Sequence, residues 1–263
     1  MTGLLAKSSA ALLAAVLLGT ATAVVAQVAE PAVTWNGITL GGAASSLRSS
    51  IGDPLRISLF NDGTRRIARY WVPGMDTTYF LIIEEHGYVV GFDGFSEPAP
   101  TAVLENVPPD PTGVRVGDTL EAVKTKHPDF RAGVDDDGAP YLIGKASPTV
   151  AVVYSFEGGR VSRFQWGTKL PADRPELSPL SEPSGASPSN AILDVQKNEA
   201  DGTAWEYRYL AFQPCADGSR WQLKKQALVN DRGRSYDVLH VVCPATKAER
   251  DFFFDITSYF GKL

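Results

Sequence analysis

Apolar and polar positions follow two different periods along the chain, and these periods predict both helices and strands. Near the start, Ala44, Leu47 and Ile51 are spaced like one face of a helix. Four strand-like runs follow, at residues 55–60, 67–72, 78–83 and 88–92. Turn signals rich in Asn, Asp, Gly and Pro separate these runs. This order predicts one helix followed by an antiparallel sheet.

The same order returns at an offset of 76 residues. Residues 37–52 (GITLGGAASSLRSSIG) align with residues 113–128 (GVRVGDTLEAVKTKHP), and the glycines and the apolar helix positions match. An acidic turn and a closing hairpin then occur in both copies. A repeat at this spacing predicts two copies of one supersecondary unit.

A third region follows a stretch rich in Pro and Ser. It contains three alternating runs, at residues 205–213, 221–229 and 236–243. After Pro244, a capping pattern and an apolar stripe predict a final helix. The stripe consists of Phe252, Phe253, Ile256, Tyr259 and Phe260.

The predicted fold class is α+β. Two tandem helix-plus-antiparallel-sheet units precede a three-stranded sheet with a C-terminal helix. The predicted divisions are a signal peptide at 1–26, unit 1 at 35–96, a Pro-rich connection at 97–112, unit 2 at 113–168, a Pro/Ser-rich linker at 169–190 and a C-terminal domain at 191–263.

The first 26 residues have the order of a secretory signal. Lys7 precedes an apolar run, and small residues end at Ala26, where we expect cleavage. The alternative is an uncleaved membrane anchor. With cleavage, the protein is predicted to be periplasmic or secreted, without membrane insertion.

Charge and cysteine usage narrow the function classes. The chain has 25 basic and 30 acidic residues, a net charge of −5, and this acidic balance argues against nucleic acid as a partner. Its two cysteines, Cys215 and Cys243, are predicted to form a disulfide in an oxidising compartment. A free reactive thiol is the alternative.

The sequence shows few catalytic patterns. Its three histidines, His86, His127 and His240, are not at metal-ligand spacing, and no G-x-S-x-G nucleophile motif occurs. The acidic turn at Asp135–Asp137 lacks the spacing of a calcium loop. We therefore predict no cofactor, no metal and no enzymatic activity.

Aromatic residues and arginine on the predicted strands are candidates for partner binding, because these residue types dominate binding hot spots. The alternative for each is a place in the core. The candidates are Tyr70, Trp71, Tyr79, Phe92, Phe95, Tyr154, Arg163 and Trp166.

Two segments carry a family resemblance: Val116–Val123, which opens a helix, and Phe156–Trp166, which forms a closing hairpin. Through them residues 113–168, and to a lesser degree 37–96, resemble the BLIP-like fold of the β-lactamase-inhibitor protein and of SmpA/OmlA-like lipoproteins. The resemblance implies a non-enzymatic protein that binds a protein partner across its sheet. The lipoproteins' N-terminal cysteine and the inhibitor's cysteine pairs are missing here, so inhibition of a β-lactamase is not implied.

These observations favour an exported envelope protein that binds a protein partner through the open sheet faces of its two units. A periplasmic hydrolase or transferase with a site between the units is the alternative, and it requires His86, His240 or the acidic turns to gather in one cleft. An architectural role that only spaces other envelope components is a third hypothesis.

Overall fold

The structure is a computed structural model that describes residues 32–60, 64–71, 79–95, 107–181 and 183–262. The predicted signal segment lies outside the described residues, as does most of the predicted connection at 97–112. The strands are β1 (Thr34–Trp35), β2 (Ile38–Thr39), β3 (Arg56–Leu59), β4 (Arg65–Trp71), β5 (Tyr79–Glu85), β6 (Tyr88–Phe95), β7 (Arg131–Val134), β8 (Pro140–Lys145), β9 (Val150–Glu157), β10 (Arg160–Thr168), β11 (Ile192–Leu193), β12 (Gln222–Asp231), β13 (Arg234–Val242) and β14 (Glu249–Asp255). The helices are α1 (Leu47–Ile51), α2 (Leu120–Lys126) and α3 (Glu199–Phe212), with short 3₁₀ turns at Ala44–Ser46 and Pro188–Asn190.

Eight strands form one continuous antiparallel sheet in the spatial order β3-β4-β5-β6-β10-β9-β8-β7. At its centre β6 pairs with β10, with Phe92 opposite Trp166. The predicted α+β class, with two tandem helix-plus-sheet units, is therefore wrong: the described chain is mostly β, and one sheet contains both sets of four strands. Helices α1 and α2 are short because Gly52-Asp53-Pro54 ends the first and Pro128 ends the second.

The two glycine-led segments of the repeat make matching hydrogen bonds to this sheet. Gly41 N donates to Val89 O at 2.7 Å, and Gly117 N donates to Val161 O at 2.7 Å. The return bonds, from each valine N–H to the residue after the glycine, measure 2.9 and 2.8 Å. Both glycines have positive φ, of 75° and 94°. Glycine adopts this conformation without the strain that a side chain would cause.

One face of the eight-stranded sheet carries an aromatic core. Phe92 stacks on Trp35, with ring centroids 5.0 Å apart, and on Trp166, at 6.1 Å. Leu47 of α1 and Val123 of α2 are buried in the same core. Each such side chain contributes about 1.5–3 kcal/mol by leaving water. The core therefore stabilises the junction between β6 and β10.

The C-terminal region forms a second sheet, in the order β11-β14-β13-β12. The predicted strands at 221–229 and 236–243 are confirmed as β12 and β13, which pair as a hairpin. The short β11 runs parallel to β14 and was not predicted. The sheet thus has four strands rather than the predicted three. Two other predicted elements of this region, the strand at 205–213 and the C-terminal helix, are also wrong.

Residues 205–212 lie in α3 and do not form a strand. The Asn198 side chain caps this helix by accepting a hydrogen bond from Asp201 N at 2.9 Å. Trp205 and Tyr209, four residues apart, are buried, whereas Tyr207 between them is 43% exposed. The alternation of aromatic and polar residues fits a strand as well as a helix, and the cap together with one-sided burial decides for the helix.

The predicted C-terminal helix is also wrong, because residues 249–255 form β14. Phe252 and Phe254 are buried in one core, while Phe253 between them packs against a different cluster, as the two faces of a strand require. Thr246 Oγ1 accepts a hydrogen bond from Ala248 N at 3.3 Å, so the capping pattern serves a turn.

The second sheet is docked on the first unit through the loop after α1. The Asp53 carboxylate accepts hydrogen bonds from Leu193 N at 2.7 Å and from Arg48 Nε at 3.0 Å. Leu55 and Trp71 belong to the buried core of the second sheet. This docking covers part of the sheet face that lies opposite the aromatic core.

Candidate functional site

A cavity of about 740 Å³ lies beside the turn between β5 and β6, and we call it the hairpin cleft. The ends of β4, β5, β6 and β10 line it on one side and residues 169–176 on the other. Its apolar lining includes Phe60, Ile83, Val90, Phe92, Leu170 and Pro171. Its charged lining consists of Arg65, Glu85, His86, Lys169, Arg174 and Glu176.

The segment at 169–176 continues into contacts that hold it against the hairpin turn. Tyr88 OH donates to Pro175 O at 2.8 Å, and Leu177 N donates to His86 O at 3.0 Å. A Cβ atom on Gly87 would lie 2.6 Å from Leu177, so the close approach requires glycine there. Residues 169–176 of the predicted linker therefore form one wall of the cleft, and hydrogen bonds hold this wall against the hairpin.

Charged groups on the hairpin side of the cleft pair with each other. Arg65 Nε lies 3.3 Å from Glu85 Oε2. The two nitrogens of His86 lie 3.9 Å from Glu85 Oε1 and 3.9 Å from Glu176 Oε1. On the other side, the Arg174 guanidinium stacks over the Tyr88 ring at 4.2 Å from its centroid. The cleft thus combines an apolar interior with cations and carboxylates at its margin.

Most predicted partner-binding residues are buried in the protein itself. Tyr70, Phe92, Tyr154 and Trp166 belong to the aromatic core, each with at most 2% of its surface exposed. These four residues therefore do not form an accessible binding surface. Phe92 and Trp166 also line the hairpin cleft.

Two of the remaining candidates, Trp71 and Arg163, lie on the sheet face opposite the aromatic core, and the structure does not describe the other two side chains. Trp71 is buried in the core of the second sheet, with the Arg208 guanidinium 5.1 Å from its ring centroid. Arg163 is paired with the buried Asp93, and its Nε lies 2.7 Å from Asp93 Oδ1. Tyr79 begins β5 and Phe95 ends β6, and their side chains are not among those described. No common surface joins the described candidates.

A buried carboxylate that sequence reasoning missed is Asp110, within the predicted Pro-rich connection. Its Oδ2 accepts from Tyr154 OH at 2.5 Å and from Trp166 Nε1 at 3.2 Å. Its Oδ1 accepts from Thr112 N, Thr112 Oγ1 and Val114 N at 2.8–2.9 Å. Burial and Asp110 raise the pKa of Tyr154 above its ordinary value. A donor set this complete is typical of a structural carboxylate.

His127 joins this cluster. Its Nε2 lies 3.0 Å from Thr112 Oγ1 and 3.2 Å from Tyr154 OH. Burial lowers the pKa of His127 below its ordinary value, against the opposing effect of Asp110. The neutral ring also stacks on Phe130 at 4.4 Å, which supports the structural role expected from its helical position.

A second acidic cluster lies between α3 and the second sheet, beside a smaller cavity of about 290 Å³. Burial raises the pKa of Glu206 to about 9, and the charges of Asp237 and Asp194 add to the effect. Burial also raises the pKa of Asp194 to about 7, although Tyr259 OH donates to it at 2.8 Å. Glu206 Oε2 and Asp237 Oδ1 lack a hydrogen-bond partner within the described residues, and the two side chains lie within hydrogen-bonding reach.

Cys215 and Cys243 are buried thiols whose sulfur atoms lie within 4.8 Å of each other and of an Asp217 carboxylate oxygen. Burial raises the pKa of Cys215; in Cys243, hydrogen bonds led by the one from Cys215 outweigh burial and lower the pKa to about 7. Within the described ranges, this trio is the one group arranged to hold a metal ion. The predicted disulfide would join the same two sulfurs and remove both thiolate ligands. It stays a prediction.

The other predicted groups are dispersed. His240 lies on β13 with its Nδ1 2.6 Å from Asp251 Oδ1 and its Nε2 3.2 Å from Glu249 Oε2. The acidic turn at Asp135–Asp137 connects β7 and β8, where Asp135 Oδ1 accepts from Ala139 N at 2.8 Å. Among the three histidines and the acidic turn at Asp135–Asp137, only His86 lines the hairpin cleft in the described structure.

Within the described ranges, the three helices are too short or too polar to pass through a lipid bilayer. No protein family and no curated protein matches the sequence. Two solved structures show a distant similarity. An extracellular protein containing a SCP domain from Bacillus anthracis is 14% identical, with a TM-score of 0.35 over 55% of this chain and 50% of that chain. A cysteine-rich secretory protein from Staphylococcus aureus is 14% identical, with a TM-score of 0.31 over 49% of this chain and 43% of that chain. This chain thus spans at most half of either protein, and at these low TM-scores we assign neither family nor function from them.

Proposed function

We propose that this protein is an exported, non-enzymatic binding protein whose binding site is the hairpin cleft. The observation that carries the proposal is the cleft itself: about 740 Å³, mainly apolar inside and charged at its margin. Binding sites for small ligands have this size and this distribution of polarity. Export rests on the predicted signal peptide at 1–26.

The cleft replaces the open sheet faces as the proposed contact with a ligand. The described aromatic candidates are buried in cores, and the second sheet covers part of the face around Trp71. The matching hydrogen bonds of Gly41 and Gly117 support the duplication on which the BLIP-like resemblance depends. That resemblance favours a binding role, and the cleft offers a site for it.

The side chains of the cleft support binding more than catalysis. Two hydroxyl groups line the described cleft, and both donate to backbone carbonyls: Tyr88 to Pro175 at 2.8 Å and Thr168 to Thr149 at 3.2 Å. His86 is flanked by two carboxylates rather than by a nucleophile. The hydrolase or transferase alternative expects His86, His240 or the acidic turns to gather in one cleft. Of these, His240 lies in the second sheet and the turn at Asp135–Asp137 lies between β7 and β8, away from the lining of the hairpin cleft.

The test fills the cleft with a bulky side chain. Ala172 lines the wall and is exposed, and Ala132 on β7 is an exposed alanine away from the cleft. We expect the neutral apolar dye Nile red to bind the native protein saturably, with one site. Ala172→Trp should weaken this binding about tenfold or more by occupying the space the dye needs. Ala132→Trp should bind as the native protein does.

Fluorescence titration measures the affinities, and circular dichroism checks that both variants fold. Equal Nile red binding by Ala172→Trp and the native protein would place the dye elsewhere and refute the cleft as the site. Absence of saturable binding by the native protein would refute it as well.

A further inference from the structure

We infer that the ligand of the hairpin cleft is a small apolar molecule with a single carboxylate, and that Lys169 and Arg174 bind this carboxylate. The inference rests on the proposed function, because it names the chemical class that the same cleft accepts. It follows from three parts of the lining: an apolar interior, the Arg65–Glu85 ion pair, and the two cations Lys169 and Arg174.

The interior of the cleft selects for apolar surface. Ile83 and Val90 come from β5 and β6, and Leu170 and Pro171 come from the wall. A ligand that covers these side chains gains about 25 cal/mol for each Å² of apolar surface removed from water. A fully polar ligand would gain nothing from this part of the cleft.

One of the two acidic side chains of the cleft already faces a cation. Glu85 lies 3.3 Å from Arg65. Glu176 is exposed on the wall, 3.9 Å from a nitrogen of His86. A cationic ligand would have to compete with Arg65 for Glu85.

Lys169 and Arg174 differ from Arg65, which pairs with Glu85. Neither forms an ion pair with a carboxylate within the described residues, and both are exposed. Tyr88 stacks against the Arg174 guanidinium at 4.2 Å, which orients its planar group without using its N–H donors. An arginine fork and an ammonium group complement a carboxylate, which accepts two parallel hydrogen bonds.

The experiment compares two ligands with the same chain and different head groups: dodecanoate below its micellar concentration and dodecanol below its solubility limit. Isothermal titration calorimetry with the native protein should show dodecanoate binding about tenfold more tightly, as expected for two partly exposed charge contacts. The double variant Lys169→Met/Arg174→Met keeps the apolar stems and should bind both ligands equally. Its control, Arg115→Met/Lys197→Met, removes the same charge from exposed positions that do not line the described cleft and should keep the native preference.

Charge reversal provides the second arm. Lys169→Glu/Arg174→Glu should lose affinity for dodecanoate and bind dodecylamine more tightly than the native protein does, because the head-group site then carries negative charge. Gain of dodecylamine binding also shows that the variant is folded.

The outcomes separate the two proposals. Equal native affinity for dodecanoate and dodecanol, failure of both to bind, or an unchanged preference in the double Met variant would overturn the carboxylate inference. If Ala172→Trp still abolished Nile red binding in those cases, the cleft would remain the binding site. If Ala172→Trp left Nile red binding intact, the proposed function itself would fail.

Discussion

Asp110, against the core of the eight-stranded sheet, and Glu206, on α3 beside the four-stranded sheet, are almost equally buried, at 3% and 1% exposure. Asp110 accepts five hydrogen bonds, from two aromatic side chains and from the Thr112–Val114 turn. Glu206 faces two other carboxylates, and its Oε2 has no partner within the described residues. Because both carboxyl groups are buried to nearly the same extent, the hydrogen-bond donors around each one determine how it is stabilised.

The difference teaches how each region tolerates a buried acid. Around Asp110 the chain supplies N–H and O–H groups, which replace the hydration of a carboxylate. Around Glu206 it supplies mainly carboxylate oxygens, with one long hydrogen bond from Tyr259 OH at 3.4 Å, so the carboxyl group holds a proton at neutral pH. The first arrangement stabilises through charge-assisted hydrogen bonds, and the second depends on pH.

The largest effect is expected at Asp110. Asp110→Asn replaces one accepting oxygen with an NH₂ group that faces donors, so at least two hydrogen bonds are lost and donors remain buried. We expect the free energy of unfolding to fall by about 3–5 kcal/mol. Urea denaturation followed by tryptophan fluorescence measures it. Asp136→Asn, at an exposed turn, is the control, and an Asp110→Asn protein as stable as this control would contradict the structural role.

The next effect concerns the cysteines, since the smaller sheet has the smaller core. An oxidised Cys215–Cys243 pair closes a loop of about 28 residues and should stabilise the protein by about 3.5 kcal/mol through the unfolded state. Mass spectrometry of the exported protein should show the loss of two hydrogens. Reduction should lower the free energy of unfolding, and hydrogen exchange should locate the change in residues 191–262. Retention of two free thiols after export would disprove the disulfide.

The smallest effect has the opposite sign. The folded-state pKa of Glu206, about 9, exceeds its ordinary 4.5, so the folded protein retains a proton that the unfolded chain releases between these pH values. The stability from Glu206 is therefore complete below pH 4.5 and is lost as the pH rises through 9. Glu206→Gln cannot release the proton, and we expect it to stabilise the protein by about 1–2 kcal/mol at pH 8.

This gain should fall to about 0.4 kcal/mol at pH 4.5, where Glu206 is protonated in the folded state and half protonated in the unfolded chain. Urea unfolding of both proteins at pH 4.5, 6 and 8 measures the difference. Because Glu206→Gln and Asp110→Asn make the same chemical change, equal destabilisation by both at pH 8 would remove the contrast between the two sites.

The two regions also differ in how much of their structure could be predicted from the sequence. In residues 37–168, short strands are separated by Gly, Pro and Asx turns, so the helix at Leu120–Lys126 and the closing hairpins are predicted at nearly their observed positions. The joining of β6 to β10 is not predicted, because alternation identifies strands and not their neighbours across a sheet. In the C-terminal region, aromatic runs fit both periods, and the choice was wrong for α3 and β14.

The functional groups were missed for related reasons. Asp110 and residues 169–176 lie beside or within Pro-rich stretches, whose composition indicates irregular backbone but not its contacts. Glu206 was missed because residues 205–213 were predicted to form a strand. A helix assignment would have placed Glu206 next to Trp205 and Tyr209 and shown an acid near an apolar face.

The pairing of β6 with β10 also determines how short a fragment of the chain can be before it exposes an unpaired central strand. A fragment ending at Phe95 would present β6, including the apolar Val90 and Phe92, as a bare edge to solvent. Two such fragments would restore the lost backbone hydrogen bonds by joining edge to edge as a symmetric dimer.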